Sequence, residues 1–162
     1  MLQTIFHSIQ ELSLMTTIRE STLAYPIIMS THLACIAAFG GMVFATNLRL
    51  LGWGFMDYSV TDVIKGLRPF KHAGMTLIII CGLLLWTSEA DKYAYNPYFW
   101  TKIALLSLAI VHALYFRKSV YKNTEALDQA TRMPGTAKTA AMVSMFIWTA
   151  LPCMGRLIAY WE

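Results

Sequence analysis

"STLAYPIIMSTHLACIAAFGGMVFATNL", residues 21–48, runs from Glu20 to Arg49 without a charged side chain. It is about 28 residues long, and about 20 apolar residues suffice to cross the hydrocarbon core of a bilayer. Three further runs follow. Lys71 to Glu89 encloses about 17 uncharged residues, Pro97 to Phe116 is broken only by Lys102, and Lys138 to Tyr160 only by Arg156. The chain has 162 residues, of which 57% are hydrophobic and 14% charged, too few to clothe four such helices in a soluble domain. The expectation is an all-α integral membrane protein, a four-helix bundle forming one domain over residues 1–162. Its spans are expected at about 23–50, 70–90, 97–117 and 137–160.

The basic residues predict an orientation. The first connection carries Arg49, Lys65, Arg68 and Lys71, and the third carries Arg117, Lys118, Lys122, Arg132 and Lys138. The opposite side has only Arg19 and Lys92 against Glu11, Glu20, Glu89, Asp91 and Glu162. The positive-inside rule therefore puts the basic loops in the cytoplasm and both termini outside, periplasmic for a bacterial inner membrane. The net charge of +4 belongs to this asymmetry and to attraction for anionic inner-leaflet lipid, not to nucleic acid. No Ser-His-Asp set, carboxylate pair or phosphate loop suggests a soluble hydrolase or nuclease.

Around the spans lie punctuation signals. Leu2, Ile5, Phe6, Ile9 and Leu12 recur at helical spacing, with Gln3, His7, Gln10 and Glu11 opposite. They predict an amphipathic surface helix over residues 1–15, with His7 solvated. "TIRE", Thr17 to Glu20, reads as a capping box for the first span. "SVTD", Ser59 to Asp62, reads as the cap of a short helix ending near Pro69, and "MPG", 133–135, as a turn before the last span. Tyr93, Tyr95, Tyr98, Phe99, Trp100, Tyr160 and Trp161 predict an outer aromatic belt. Ala34, Ala37, Gly41 and Ala45 form a stripe of small residues suited to close helix packing, on a different face from His32. Cys35, Cys81 and Cys153 have no CxxC spacing and read as packing residues.

Polar groups sort by depth. At about 1.5 Å per residue, His32 lies roughly 12–14 Å below the outer end of its span, Lys102 roughly 8 Å and Arg156 roughly 6 Å. No acidic residue sits at these depths, so an anionic ligand such as a haem propionate, or a quinone oxygen, would satisfy the three. Lys102 and Arg156 also read as snorkelling interface anchors, whereas His32 is too short and too deep for that. At the inner side His72 and His112 fall roughly 5 and 8 Å into the second and third spans. Those spans are expected to be adjacent and antiparallel, with matching depths, which makes the two imidazoles candidate axial ligands for a b-type haem iron. His32 is on the order of 15–20 Å away from that pair and would serve a different haem.

"THLACIAAFGGMVFATNLRLLG", "LRPF", "CGLLLW", "NPYFWTKIALL" and "GRLIAYW" resemble the landmarks of an uncharacterised family of small bacterial four-helix membrane proteins, over about Tyr25 to Trp161. Asn47 stands where that family's pattern has Asp. More distantly, the early-span His32 and the third-span Lys102 are similar in position to residues of the haem-binding membrane protoporphyrinogen oxidase family. There both are implicated in haem binding or activity. The architecture also resembles copper-resistance D membrane proteins. What these resemblances imply is a fold able to hold haem on a first-span histidine.

Three functions are therefore expected in turn. The first is a b-type haem protein in electron transfer, with His32, His72 and His112 as candidate iron ligands and Lys102 and Arg156 on propionates, and with a quinone as a companion. The second is an accessory subunit of a larger respiratory or photosynthetic membrane complex, or a homo-oligomer. The third is a copper permease using His32, Cys35 and methionines such as Met154, disfavoured because the sulfur ligands show no repeated spacing.

Overall fold

The computed structural model describes residues 2–130 and 132–161. Met1, Thr131 and Glu162 lie outside the described residues, as do the side chains of residues 2, 3, 117 and 119. The parts expected of Leu2 and Gln3 in the amphipathic face, and of Arg117 and Glu162 in the charge asymmetry, fall there too.

Among the described residues there is no strand, and eight helices follow one another. They are α1 (Leu2–Gln10), α2 (Ser13–Glu20), α3 (Ala24–Leu51), α4 (Val60–Ser88), α5 (Ala90–Tyr93), α6 (Pro97–Ser119), α7 (Thr124–Gln129) and α8 (Gly135–Ile158). The long helices α3, α4, α6 and α8 each contain a stretch long and apolar enough to cross a membrane. Their outward faces carry Leu33, Ile79, Leu83, Ile110, Val111 and Phe146, all well exposed, as contact with lipid requires. The chain is thus an all-α, multi-pass four-helix membrane bundle.

The packing order is α4 on α3, α3 on α8, and α8 on α6. The second and third spans are not close-packed neighbours, which corrects the expectation drawn from their sequence adjacency. The chain passes from α4 to α6 at one end, but α3 and α8 form the central pair.

The two ends of the bundle are built differently. The end carrying the α3–α4 and α6–α8 connections, the basic end, is closed by an apolar cluster. Leu50, Leu51, Val60, Val120, Ala137 and Ala141 form it, with Phe116, Tyr121 and Met145 packed around. Here Asp128 of α7 accepts hydrogen bonds from the Val60 amide at 2.6 Å and the Thr61 amide at 3.3 Å. It thereby covers two of the unpaired amides at the start of α4. Desolvation pushes the Asp128 carboxyl upward, but hydrogen bonds from Thr61 and Val60 outweigh it and hold the group below the ordinary carboxylate range.

At the opposite, terminus end the expected single surface helix is two. The chain turns at Leu12, which is extended, so that Phe6 of α1 and Met15 and Ile18 of α2 are all buried. Phe6 meets Trp86 edge-on at 5.5 Å and stacks near Trp100 at 6.5 Å. His7 is exposed, as expected, and also bonds Asp91 through Nδ1 at 2.8 Å, and that bond raises its pKa. The capping-box reading of Thr17 to Glu20 is also corrected. Both residues belong to α2, and the Ser21 hydroxyl accepts from the Ala24 amide at 3.0 Å to begin α3.

Ser59 caps α4 as expected, accepting from the Asp62 amide at 2.9 Å, but the helix runs unbroken through Pro69 to Ser88. Pro69 removes only one hydrogen bond, the one to the Lys65 carbonyl, on an exposed part of the helix close to its solvated end. Gly135 opens α8 directly after Pro134, matching the expected turn. In the belt region, Asn96 caps α6 by accepting from the Tyr98 and Phe99 amides at 3.0 and 3.2 Å. Its Nδ2 donates to the Ile158 carbonyl of α8 at 3.2 Å, which ties the start of α6 to the end of α8.

Candidate functional site

Two polar layers cross the apolar interior, separated by a level at which Phe39 packs on Trp148 with ring centroids 4.7 Å apart.

The first lies toward the terminus end, and all four spans contribute to it. His32 of α3 is buried, and its Nδ1 has no hydrogen-bond partner. The imidazole lies against α4 at Gly82, where a Cβ would stand 3.0 Å from Cε1. Only glycine leaves room for the ring in this position. Lys102 of α6 lies close enough for its charge to be felt at the imidazole. Its ammonium reaches α8 at Gly155, 3.7 Å from where a Cβ would be. Among the described residues no carboxylate pairs with Lys102. The ion pairs among the described residues are His7–Asp91, Arg19–Glu11 and Lys92–Glu89. An uncompensated ammonium and an unsatisfied imidazole nitrogen inside a membrane bundle are both costly; the ammonium favours a ligand that supplies acceptors, and the nitrogen one that supplies its missing partner.

The second layer lies toward the basic end. Lys71 of α4 donates to the Thr46 hydroxyl of α3 at 2.6 Å, and Thr46 donates in turn to the Met42 carbonyl at 3.0 Å. One residue on, buried Asn47 donates through Nδ2 to the Ser144 hydroxyl of α8 at 3.0 Å. One turn from Ser144, the Ala140 backbone of α8 is approached by His112 of α6, whose Nε2 is buried without a partner. The His112 ring packs on Phe116 with centroids 4.5 Å apart.

Of the candidate residues, the structure brings together His32 and Lys102. Arg156 is placed apart from them. It is exposed, donates to the Tyr160 hydroxyl at 2.8 Å and lies over that ring at 4.9 Å. His72 is exposed on α4, and His112 faces α8, so the two histidines sit on spans that do not pack together. Cys35, Cys81 and Cys153 are free thiols, and no group of three metal-ligating side chains occurs among the described residues. Lys71, Thr46, Asn47 and Ser144 had no part in the sequence reading of the site. Three residues on, Gly74 faces Phe39 and Met42 of α3 at ordinary contact distance, which places half-buried Lys71 beside the same helix.

The small-residue stripe does not pack within the chain. Ala34, Ala37 and Gly41 are exposed, and a groove of about 360 Å³ runs beside them, lined by Leu33, Ile36, Gly40, Phe44, Trp148 and Pro152 among others.

Residues 11–161 match the family of unknown function DUF6644, and the chain belongs to that family. No curated protein and no solved structure matches it.

Proposed function

We propose that this member of the DUF6644 family is a membrane redox protein holding a b-type haem in the terminus-end half of its bundle. In this reading His32 is a ligand to the iron and Lys102 the counter-charge of a propionate. The observation that supports it is the pairing of a buried imidazole that has an unsatisfied nitrogen with a half-buried ammonium that has no carboxylate among the described residues. Glycines stand opposite both groups, Gly82 and Gly155, and the donor set, an imidazole nitrogen beside an ammonium, is the chemistry such a group would need. Arg156, at the rim, is a second candidate for a propionate once it releases Tyr160. Haem when bound supplies one-electron chemistry. The chain's own residues fix the ligand's height, keep water away and place positive charge beside it. A quinone, soluble in the bilayer, is the proposed electron partner. The basic-residue asymmetry extends the proposal to a bacterial inner membrane with periplasmic termini, so the haem would lie in the periplasmic half.

The test is the absorption spectrum of the purified protein, oxidised and dithionite-reduced, with a pyridine haemochrome assay. Stoichiometric b-haem, lost in His32→Ala and retained in His72→Ala and His112→Ala, is the expected result. Loss in the latter two would move the haem to the basic end. Haem-free protein from cells supplied with haem precursors would overturn the reading.

A separate observation favours a second reading, an accessory subunit of a larger membrane complex. The exposed Ala34, Ala37 and Gly41 beside the α3–α8 groove would admit a neighbouring transmembrane helix at short range. Colourless protein that co-purifies with large partners, and loses them in Gly41→Leu, would support that reading over the first.

A further inference from the structure

We infer that Lys71, held in place by Thr46, binds a phosphate group at the basic end of the bundle, separate from the His32–Lys102 layer. The argument begins with the lysine's hydrogen bonds. An ammonium has three N–H donors, and Lys71 uses one, on Thr46 at 2.6 Å. Thr46 gives its own proton to the Met42 carbonyl, so the hydroxyl is fixed as an acceptor and the lysine is held in one place. The two remaining donors have no protein acceptor among the described residues.

Nor does a carboxylate neutralise the charge. Asp62 stands nine residues earlier on α4, about 13 Å along the axis at 1.5 Å per residue, and is exposed. Asp128 is engaged with the Val60 and Thr61 amides. A snorkelling lysine would carry its ammonium past the helix end into water. Lys71 instead stops at Thr46, five residues and so about 7–8 Å short of Leu51, where α3 ends.

That height indicates the ligand. At 28 residues α3 is about 42 Å long, the thickness of a bilayer with its headgroups, while the hydrocarbon core is about 30 Å. The Lys71 ammonium therefore lies near the boundary between hydrocarbon and headgroups, the level at which lipid phosphates are found. Lys65 and Arg68, exposed on the preceding turns of α4, add positive potential along the approach from the basic end. A point-charge ammonium with free donors suits a phosphate oxygen. The phosphate is either that of an anionic lipid or a free anion entering from solution.

The experiment uses the full chain in detergent, with two probes. Phosphatidylglycerol is titrated against a phosphate-free glycolipid and read by native mass spectrometry. Inorganic phosphate is titrated separately and read by phosphorus line broadening. The expected result is saturable binding of one probe, weakened about 10-fold or more in Lys71→Met, largely kept in Lys71→Arg, and changed less than about 2-fold in Lys65→Met. Binding of the lipid alone identifies a headgroup site, and binding of phosphate identifies an anion site. Lys71→Met removes a half-buried charge and is expected to fold, which helix content and elution volume check. If it misfolds, Thr46→Val, which removes the anchor but keeps the shape, takes its place and is expected to weaken binding. Equal binding of glycolipid and phosphatidylglycerol with no response to phosphate would overturn the proposal. So would an equal loss in Lys65→Met, which would indicate a diffuse basic surface.

Discussion

The Cε1 edge of His32 lies 3.0 Å from the position a Cβ would take on Gly82, tighter than an ordinary van der Waals contact. Alanine at position 82 favours a helix by up to about 1 kcal/mol over glycine, but it forces the buried imidazole to shift by a few tenths of an ångström. Gly82→Ala is therefore expected to keep its helix content and to lose haem occupancy several-fold. The haemochrome yield per protein, set beside circular dichroism, checks both halves. Unchanged occupancy would mean that the ring is free to move and that its position is not what holds the ligand.

Lys102 leads to an opposite pair of effects. Replacing an unpaired, half-buried ammonium by an apolar chain of similar length removes a desolvation cost. Lys102→Met in the haem-free protein is expected to unfold at a higher temperature, by about 2–4 °C for each kcal/mol relieved. The same variant should bind haem more weakly. A thermal scan of both forms separates the effects, because a purely structural lysine would lower the midpoint in both.

Asn47 and Ser144 are coupled across the α3–α8 pair by a 3.0 Å hydrogen bond. Asn47→Ala leaves the half-buried serine hydroxyl without its donor, at a cost of about 1 kcal/mol. The double variant with Ser144→Ala is expected to recover part of that loss. A double-mutant cycle in a chemical denaturant measures the coupling, and strict additivity would show that the bond contributes nothing net.

His7 and Asp91 make the docking of α1 sensitive to pH. The folded-state pKa of His7 is raised, first by the hydrogen bond to Asp91 and then by that carboxylate's charge. The contribution is therefore fully present below the unfolded value of about 6.5 and is lost as pH rises through the folded value. The protection of α1 amides, corrected for intrinsic exchange, should fall across that window and lose its pH dependence in Asp91→Asn. At the other end Asp128 has the reverse sign, because its folded pKa is lowered. The support it gives to the start of α4 is present above the unfolded carboxylate value and disappears as pH falls through the folded one.

The four spans were legible because charge-free runs of that length have no soluble alternative. Lys102 and His32 were legible because a polar residue stands out in such a run. Arg156 stood out equally, yet its partner is Tyr160, one helical turn further on, a pairing that the i,i+4 spacing already offered. Lys71 was read as one more basic residue of a loop. Its bond to Thr46 depends on α4 packing against α3, a tertiary fact. The Asn47–Ser144 bond joins residues 97 apart in the chain, beyond any local pattern. The packing order of the spans was misread because adjacency in sequence was taken for adjacency in space.

Asn96 has a consequence for metrology. Its side chain fixes the start of α6 against the Ile158 carbonyl. Measured from that pin, Lys102 lies six residues along α6, about 9 Å, and Gly155 three residues back along α8, about 4–5 Å. The ammonium meets the glycine because these two lengths, with the reach of the lysine side chain, are counted from one datum. One residue inserted between Asn96 and Lys102 would advance the lysine by about 1.5 Å and rotate it by about 100°, sending its charge off the bundle axis. Asn96 acts as the zero mark of a vernier between two helices, and the ligand layer is read off against it.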